Sequence, residues 1–237
     1  METNRNKGKF IVLEGLDGSG KSTQHNLLAD HLKENGYRVE RIDFPQYGTK
    51  SAGLIEEYLN GEYGSSEEVG PYRASIFYAC DRYDASFKIK KWLREGKIVV
   101  SDRYLISNIG HQGGKISDKK ERKEYSKWLY NLEYKIFGIP RPDFTFILKT
   151  SPEFSLRLAH RITDKEKLKK RRAYLGSKKR DIHEKDKKHL ANALRSYLEA
   201  ARQFPEEFKI IECLDGNNIL HPDVIHRKIW GIIKKIL

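Results

Sequence analysis

Apolar and polar positions along the chain fall into alternating strand-like and helix-like runs. Lys9–Glu14 reads KFIVLE, a short apolar run that feeds a glycine-rich turn and predicts a buried strand. From Ser22 to Asn35 the positions Leu27, Leu28, His31 and Leu32 recur at helical spacing, and Gly36 stops the helix. Tyr37–Phe44 (YRVERIDF) alternates apolar with polar and predicts a second strand, ended by Pro45. Strand, glycine turn, helix and strand make a βαβ unit.

The same rhythm continues to the end of the chain. Glu67–Arg94 predicts a long helix with a break near Pro71, and Lys97–Asp102 (KIVVSD) a third strand. Lys119–Phe137 is helical, with Tyr125, Trp128, Leu129, Leu132 and Ile136 on one face, and Asp143–Lys149 (DFTFILK) is a fourth strand. Pro152 opens a helix that includes Leu156 and Leu158, and a basic segment follows it. His189–Gln203 is helical, Phe208–Cys213 a fifth strand and Pro222–Leu237 a terminal helix. Five strands alternating with helices predict an α/β fold, an open and mainly parallel sheet covered on both faces. With no internal repeat, linker or second composition class in view, residues 1–237 read as one domain.

Composition narrows this picture modestly. A chain of 237 residues, 38% hydrophobic and 33% charged, has the make-up of a soluble protein that buries a core without disulfides. Cys80 and Cys213 match no metal or redox spacing and read as buried thiols of a reducing compartment. The longest apolar runs, such as Phe10–Leu13 and Phe144–Leu148, are strand-length, so no membrane span is expected. The opening METNRNKGK lacks the apolar region of an export signal, so a cytoplasmic protein is expected. The net charge of +13 is concentrated: Lys165–Lys188 alone carries twelve lysines and arginines. Such a segment suits nucleic acid, a membrane surface or a small anion, and it also reads as a solvated helical face.

The chemistry enters at Gly15-Leu16-Asp17-Gly18-Ser19-Gly20-Lys21-Ser22, a full G-x-x-x-x-G-K-[ST] between a predicted strand and a predicted helix. Gly15, Gly18 and Gly20 let the backbone turn tightly and bring N–H groups to phosphate oxygens. The helix that follows presents its partly positive end to the same anion. Lys21 adds a cation between outer phosphates, and the Ser22 hydroxyl suits Mg²⁺. This loop serves motors, switches and small-molecule kinases alike.

Four more stretches bear on the phosphate acceptor. Asp43-Phe44-Pro45 ends the second strand, where ligands gather in this kind of sheet. In Phe77-Tyr78-Ala79-Cys80-Asp81-Arg82, Tyr78 and Arg82 share a helix face, a ring and a cation that suit a base and a phosphate; taken alone, the pair is better read as a surface contact. Ser101-Asp102-Arg103-Tyr104 ends the third strand with an acid that can reach Mg²⁺ and an arginine that can hold a phosphate; alone it also reads as a strand-end ion pair. Arginines between Arg161 and Arg180 could close over a transferring phosphoryl group.

In combination these stretches resemble the thymidylate kinase family. The matching text is FIVLEGLDGSGKST, DFPQYGTKSAG, FYACDRYDA, VVSDRYLISNIGHQG, WLYNLEYKIFGIPRPDFTFIL and KRDIHEKD, in the family's order and across nearly the whole chain. The resemblance implies a P-loop NTPase-type five-stranded parallel sheet flanked by helices, with a basic lid segment at about residues 161–186. It implies Mg²⁺-dependent transfer from ATP to dTMP by in-line displacement, in a homodimer. Around the ATP it places Gly15, Gly18, Ser19, Gly20, Lys21, Ser22, Thr23 and Arg161. Around dTMP it places Asp17, Phe44, Pro45, Phe77, Tyr78, Arg82, Arg103, Ser107, Asn108, His111 and Gln112, with Tyr78 where the family stacks a ring on thymine. Ser22, Asp17 and Asp102 fall near the metal, and Asp17, Lys21, Arg103, Arg180 and Arg172 carry the catalytic roles.

Three positions depart from many relatives. Gln46 and Tyr47 follow Phe44-Pro45 where an arginine is common, so one acceptor-phosphate contact is either missing or supplied by Lys50. His111 stands where many bacterial relatives carry tyrosine. Gly18 replaces the basic loop residue of some relatives, which sends the catalytic arginine to the lid, with Arg180 first and Arg172 and Arg161 behind it. The rival readings are a kinase for another deoxynucleotide or deoxynucleoside, separated by an acceptor panel, and a P-loop nucleic-acid-binding protein, separated by salt-dependent DNA or RNA binding.

Overall fold

The computed structural model describes residues 8–159, 187–216, 218–235 and 237. Arg161, Arg172 and Arg180, with the expected lid, lie outside the described residues.

Five parallel strands build the sheet: β1 (Lys9–Gly15), β2 (Val39–Asp43), β3 (Ile98–Asp102), β4 (Phe144–Lys149) and β5 (Phe208–Glu212), in the order β2-β3-β1-β4-β5. Period-two alternation sends the β1 side chains to opposite faces. Phe10 and Val12 join Val99 and Ile147 on one face. That face is covered by α3 (Ser66–Arg94) through Ala85 and Ile89, by α5 (Lys119–Tyr130) through Tyr125 and Leu129, and by α7 (Lys187–Gln203) through Ala193 and Tyr197. Ile11 and Leu13 join Val100, Phe146 and Leu148 on the other face, under α1 (Lys21–Glu34) and α8 (Pro222–Ile233). Both faces of every central strand are thus buried, which is why these strands read as continuous apolar runs.

The register brings the chemistry together. Leu13 pairs with Asp102, and Asp43 pairs with Asp102, so β1, β2 and β3 end at one edge. β1 lies between β3 and β4; from it the chain crosses to the edge strand β2, returns to β3 and then passes to β4 on the other side, and ligands bind beyond the carboxyl ends at such a reversal.

Several boundaries differ from the sequence expectation. The second strand begins at Val39 and the terminal helix stops at Ile233. The break in α3 sits at Gly70, with φ 73° and ψ 165°, one residue before Pro71; proline pushes its predecessor out of helical geometry. The stretch expected as one helix to Phe137 changes after α5 into a π-helical turn, Asn131–Ile136. The short helices α2 (Gly53–Asn60) and α4 (Ile106–His111) and the hairpin β6–β7 (Leu214–Asp215 with Asn218–Ile219) carry too little periodicity to announce themselves. The remaining helix, α6 (Pro152–Ala159), starts at its proline as expected.

Candidate active site

The loop between β1 and α1 turns on three glycines with positive φ: 141° at Gly15, 78° at Gly18 and 88° at Gly20. Gly15 also needs to be bare, because a Cβ there would lie 2.7 Å from the Leu148 carbonyl. Gly20 precedes α1 with no side-chain cap, and no acidic residue sits in the first turn. The first N–H groups of α1 are left for an anion. Lys21 arches back over the loop, donating to the carbonyls of Leu16 at 2.7 Å and Gly15 at 3.0 Å. Burial and the nearby Arg103 push its ammonium down to about 8, against the pull of Asp17, Asp102 and Glu14. Ser22 donates to Asp102 Oδ2 at 3.0 Å, joining the loop to the end of β3. Ser19 is buried, and Thr23 is exposed on the first turn of α1.

Arg103 follows β3 with φ 74°, the one non-glycine residue with positive φ among those described. Its N–H donates to the Leu13 carbonyl at 2.9 Å, which holds this left-handed turn. The turn swings the guanidinium back to the glycine loop. Nη2 pairs with Asp17 Oδ1, and Nη1 lies 3.2 Å from both Ser107 Oγ and His111 Nε2. Crowding by the loop works against its charge, yet Arg103 and then Lys21 pull the Asp17 carboxyl well below the usual range. Asp17 is therefore engaged with Arg103, while Ser22 and Asp102 form the oxygen pair.

On the far side, Phe44 is buried against Tyr104 with ring centroids 5.6 Å apart and is followed by a cis bond to Pro45. Asp81 holds this corner, accepting the Gln46 N–H at 2.8 Å and the Ser51 hydroxyl at 2.7 Å. Phe77 and Tyr78 are half-buried and both pack edge-on to Tyr58, at 6.2 and 6.4 Å. The surface-contact reading of Tyr78 and Arg82 fails, because Arg82 is 1% exposed. Its Nε and Nη2 donate to the two oxygens of Glu133, at 2.6 and 2.7 Å. Burial works against the Arg82 charge, and Glu133 more than restores it. Asn108 and Gln112 are buried, and Asn108 donates to the Ser75 carbonyl at 3.2 Å, tying α4 to α3.

Four residues here escaped the sequence reading: Glu14, Glu133, His189 and Tyr197. Glu14 is fully buried and accepts from Tyr104 N–H (2.7 Å), Ser107 N–H (3.1 Å), Ser107 Oγ (2.7 Å) and Tyr197 OH (3.0 Å). Burial raises its carboxyl above the usual value, with Arg103 and Ser107 opposing. An acid closing an apolar strand was its only mark. Glu133 stands one turn after the buried Leu129, inside the π-helical turn, and as an acid it carried no apolar mark.

A glycine loop that cradles anions, with an arginine, a carboxylate and a hydroxyl converging at the next strand end, can hold two phosphate groups side by side. The Thymidylate kinase family model matches residues 13–224 of this chain.

The chain belongs to the thymidylate kinase family.

As a family member it is a phosphotransferase whose acceptor is dTMP. It is similar to the thymidylate kinase of Plasmodium falciparum, 34% identical over 155 residues that cover 65% of this chain and 68% of that one. It is also similar to the probable thymidylate kinase of Thermococcus onnurineus, 31% identical over 221 residues that cover 91% and 95%. Its fold is that of the solved thymidylate kinase from Candida albicans, with a TM-score of 0.69, 24% identity, and coverage of 97% of this chain and 92% of that one. The P-loop NTPase-type parallel sheet expected of thymidylate kinases is therefore the fold of this chain.

Proposed function

We propose that this family member moves the γ-phosphoryl of ATP directly to the phosphate of dTMP at the loop–Arg103 junction. The observation that carries the reading is the Arg103 turn, which faces Asp17 of the glycine loop and gathers Ser107 and His111. Gly15, Gly18, Ser19, Gly20, Lys21, Ser22 and Thr23 receive the donor phosphates. Arg103 grips the acceptor phosphate. That phosphate is already ionised at neutral pH, so no general base is required; alignment and charge neutralisation do the work.

Ser22 and Asp102 are oxygen donors 3.0 Å apart, the hard ligand type that suits Mg²⁺. Among the described residues no three His, Cys, Asp or Glu side chains converge as a metal cage, and Mg²⁺ commonly takes only one or two protein ligands. Ser22 and Asp102 would hold the ion, and its charge would offset that of the donor phosphates. Arg82 and Glu133 are together neutral, so the N–H groups that Arg82 retains suit an uncharged base carbonyl better than a phosphate. Tyr78 supplies the stacking ring, with Phe44, Pro45, Phe77, Ser107, Asn108, His111 and Gln112 around the nucleoside. Arg180, ahead of Arg172 and Arg161, supplies transition-state charge from the lid.

The exposed Tyr72, Ile76, Tyr83 and Phe87 form an apolar stripe along α3, and Tyr83 packs on Phe137, the residue after Ile136, which is 66% exposed. This stripe supports a homodimer. Among the described residues no helix is long and apolar enough to cross a membrane. Cys213 is buried and Cys80 half-buried, both as free thiols, which supports a reducing, cytoplasmic setting.

The test is an ADP-release assay across common nucleoside monophosphates and deoxynucleosides. dTMP is expected to give the highest kcat/KM, and Arg103→Ala to lose acceptor affinity and turnover with the fold intact. Wild-type dTMP kinetics in Arg103→Ala would remove the assignment.

A further inference from the structure

Arg103 bears N–H groups only, so it donates and never accepts. Its Nη1 lies 3.2 Å from His111 Nε2. That ring nitrogen must present a lone pair, and the proton of a neutral His111 then sits on Nδ1. The atom facing Nδ1 is Nε2 of His189, 3.4 Å away. The two ring centroids are 5.6 Å apart, with planes inclined by 27°. The gap between nitrogens and the two ring radii together account for that separation, so nitrogen faces nitrogen and the rings do not lie face to face.

The surroundings favour an uncharged ring. Loss of hydration and the Arg103 charge hold His111 well below its ordinary value, with His189 and Lys21 acting in the same sense and Asp17 opposing. Tyr197 packs its edge against the imidazole at 5.9 Å and donates its hydroxyl to Glu14.

We infer that His189 is a positioning residue for Arg103: by accepting the His111 Nδ1 proton it fixes the tautomer that turns a lone pair toward the guanidinium. His189 stands in the first turn of α7, several elements away in sequence from the glycine loop and the β3 turn, and it meets the site at His111. A histidine whose second nitrogen is tethered keeps one ring orientation, which is how an outer contact sets an inner one. The kinetic consequence rests on the acceptor-phosphate role proposed for Arg103; the tautomer does not.

The experiment uses the full chain labelled with ¹⁵N-histidine, read by long-range ¹H–¹⁵N spectra at neutral pH. His111 is expected with Nδ1 protonated and Nε2 bare. An Nε2–H tautomer or an imidazolium in the wild-type chain overturns the inference without any variant. His189→Leu is expected to shift His111 toward the Nε2–H form and to raise the KM for dTMP about fivefold, the scale of one neutral hydrogen bond, with kcat within about twofold. His189→Gln, whose amide oxygen accepts a proton, is expected to keep the wild-type tautomer and KM. An unchanged tautomer in His189→Leu, or a shifted tautomer with unchanged KM, overturns the positioning role. If the tautomers behave as expected but the wild-type chain does not phosphorylate dTMP, the proposed function fails and the tautomer assignment stands.

Discussion

The Arg82–Glu133 pair offers a perturbation whose effects on stability and function can be pulled apart. Both side chains are essentially removed from water, at 2% and 0% exposure, and are joined by two short charge-assisted bonds. Glu133→Ala leaves a guanidinium buried without its partner, a defect that costs about 3–5 kcal/mol. In a chain of 237 residues each kcal/mol moves the midpoint by about 2–4 °C, so Tm should fall by about 6–20 °C. Replacing both charges by apolar groups of similar volume, Arg82→Met with Glu133→Leu, removes the desolvation cost together with the attraction. That double variant should melt within about 5 °C of wild type, since such swaps are often neutral or stabilising. It should nevertheless lose dTMP affinity, because Arg82 no longer offers an N–H to the base. Differential scanning calorimetry and dTMP titration, run on the same three proteins, give the two answers. If Glu133→Ala melts within about 2 °C of wild type, the pair is not the buried, desolvated contact described. If the double variant is stable and binds dTMP normally, Arg82 has no part in the acceptor site.

Lys21, held at about 8, should become fully protonated when polyphosphate arrives. Calorimetric titration with metal-free ATP at pH 8, in buffers of differing ionisation enthalpy, should show uptake of about half a proton, and Lys21→Met should abolish it. His226, 2.7 Å from His31 Nδ1, is lowered from its ordinary value by burial and then by His31, and His111 is lowered too. Groups with depressed folded values bind fewer protons folded than unfolded below pH 6.5, so stability should fall from pH 7 toward pH 5; His226→Gln should reduce that slope in denaturant titrations, by up to about one proton. Phe87, 59% exposed at the end of the α3 stripe, is the point at which to test self-association. Phe87→Lys should shift the sedimentation profile from dimer to monomer, and a monomeric wild-type chain would remove the interface.

The sheet was legible because its strands are buried on both faces, so each stands out as an apolar run between turn signals. The glycine loop was legible because bringing backbone N–H groups to a phosphate permits few residue types at fixed spacing. What escaped notice depends on three-dimensional packing. The left-handed turn at Arg103 has no glycine to mark it and is held by a backbone bond to Leu13 from a strand nearly ninety residues earlier. Glu133 continues the buried row of Tyr125 and Leu129 at i+4 spacing, but an acid there carries no apolar mark, and the face expected through Ile136 is 66% exposed at that residue. His189 carries no local mark because its partner His111 lies on another helix. The i, i+4 spacing of Tyr78 and Arg82 was a sound observation, but spacing alone could not say that this face turns inward.

Glu14 ties the glycine loop to the turn at Arg103. It is the residue before Gly15, so its backbone belongs to the strand that launches the loop. Its carboxylate collects the Tyr104 and Ser107 N–H groups, which flank the left-handed turn at Arg103 and open α4. The same carboxylate takes the Ser107 hydroxyl, and Ser107 in turn accepts from Arg103. Tyr197 adds a fourth donor from α7, so three segments far apart in sequence meet on one side chain. A buried carboxylate is costly unless its oxygens are filled, and here four donors fill them. A neutral isostere of the same shape would replace one acceptor oxygen by a donor facing another donor, so the network needs an acid. Phosphoryl transfer depends on holding two anions in line at close range. With Arg103 in the acceptor role proposed for it, part of that distance would be set by a residue that need touch neither nucleotide, and the loop motif, read alone, gives no hint of it.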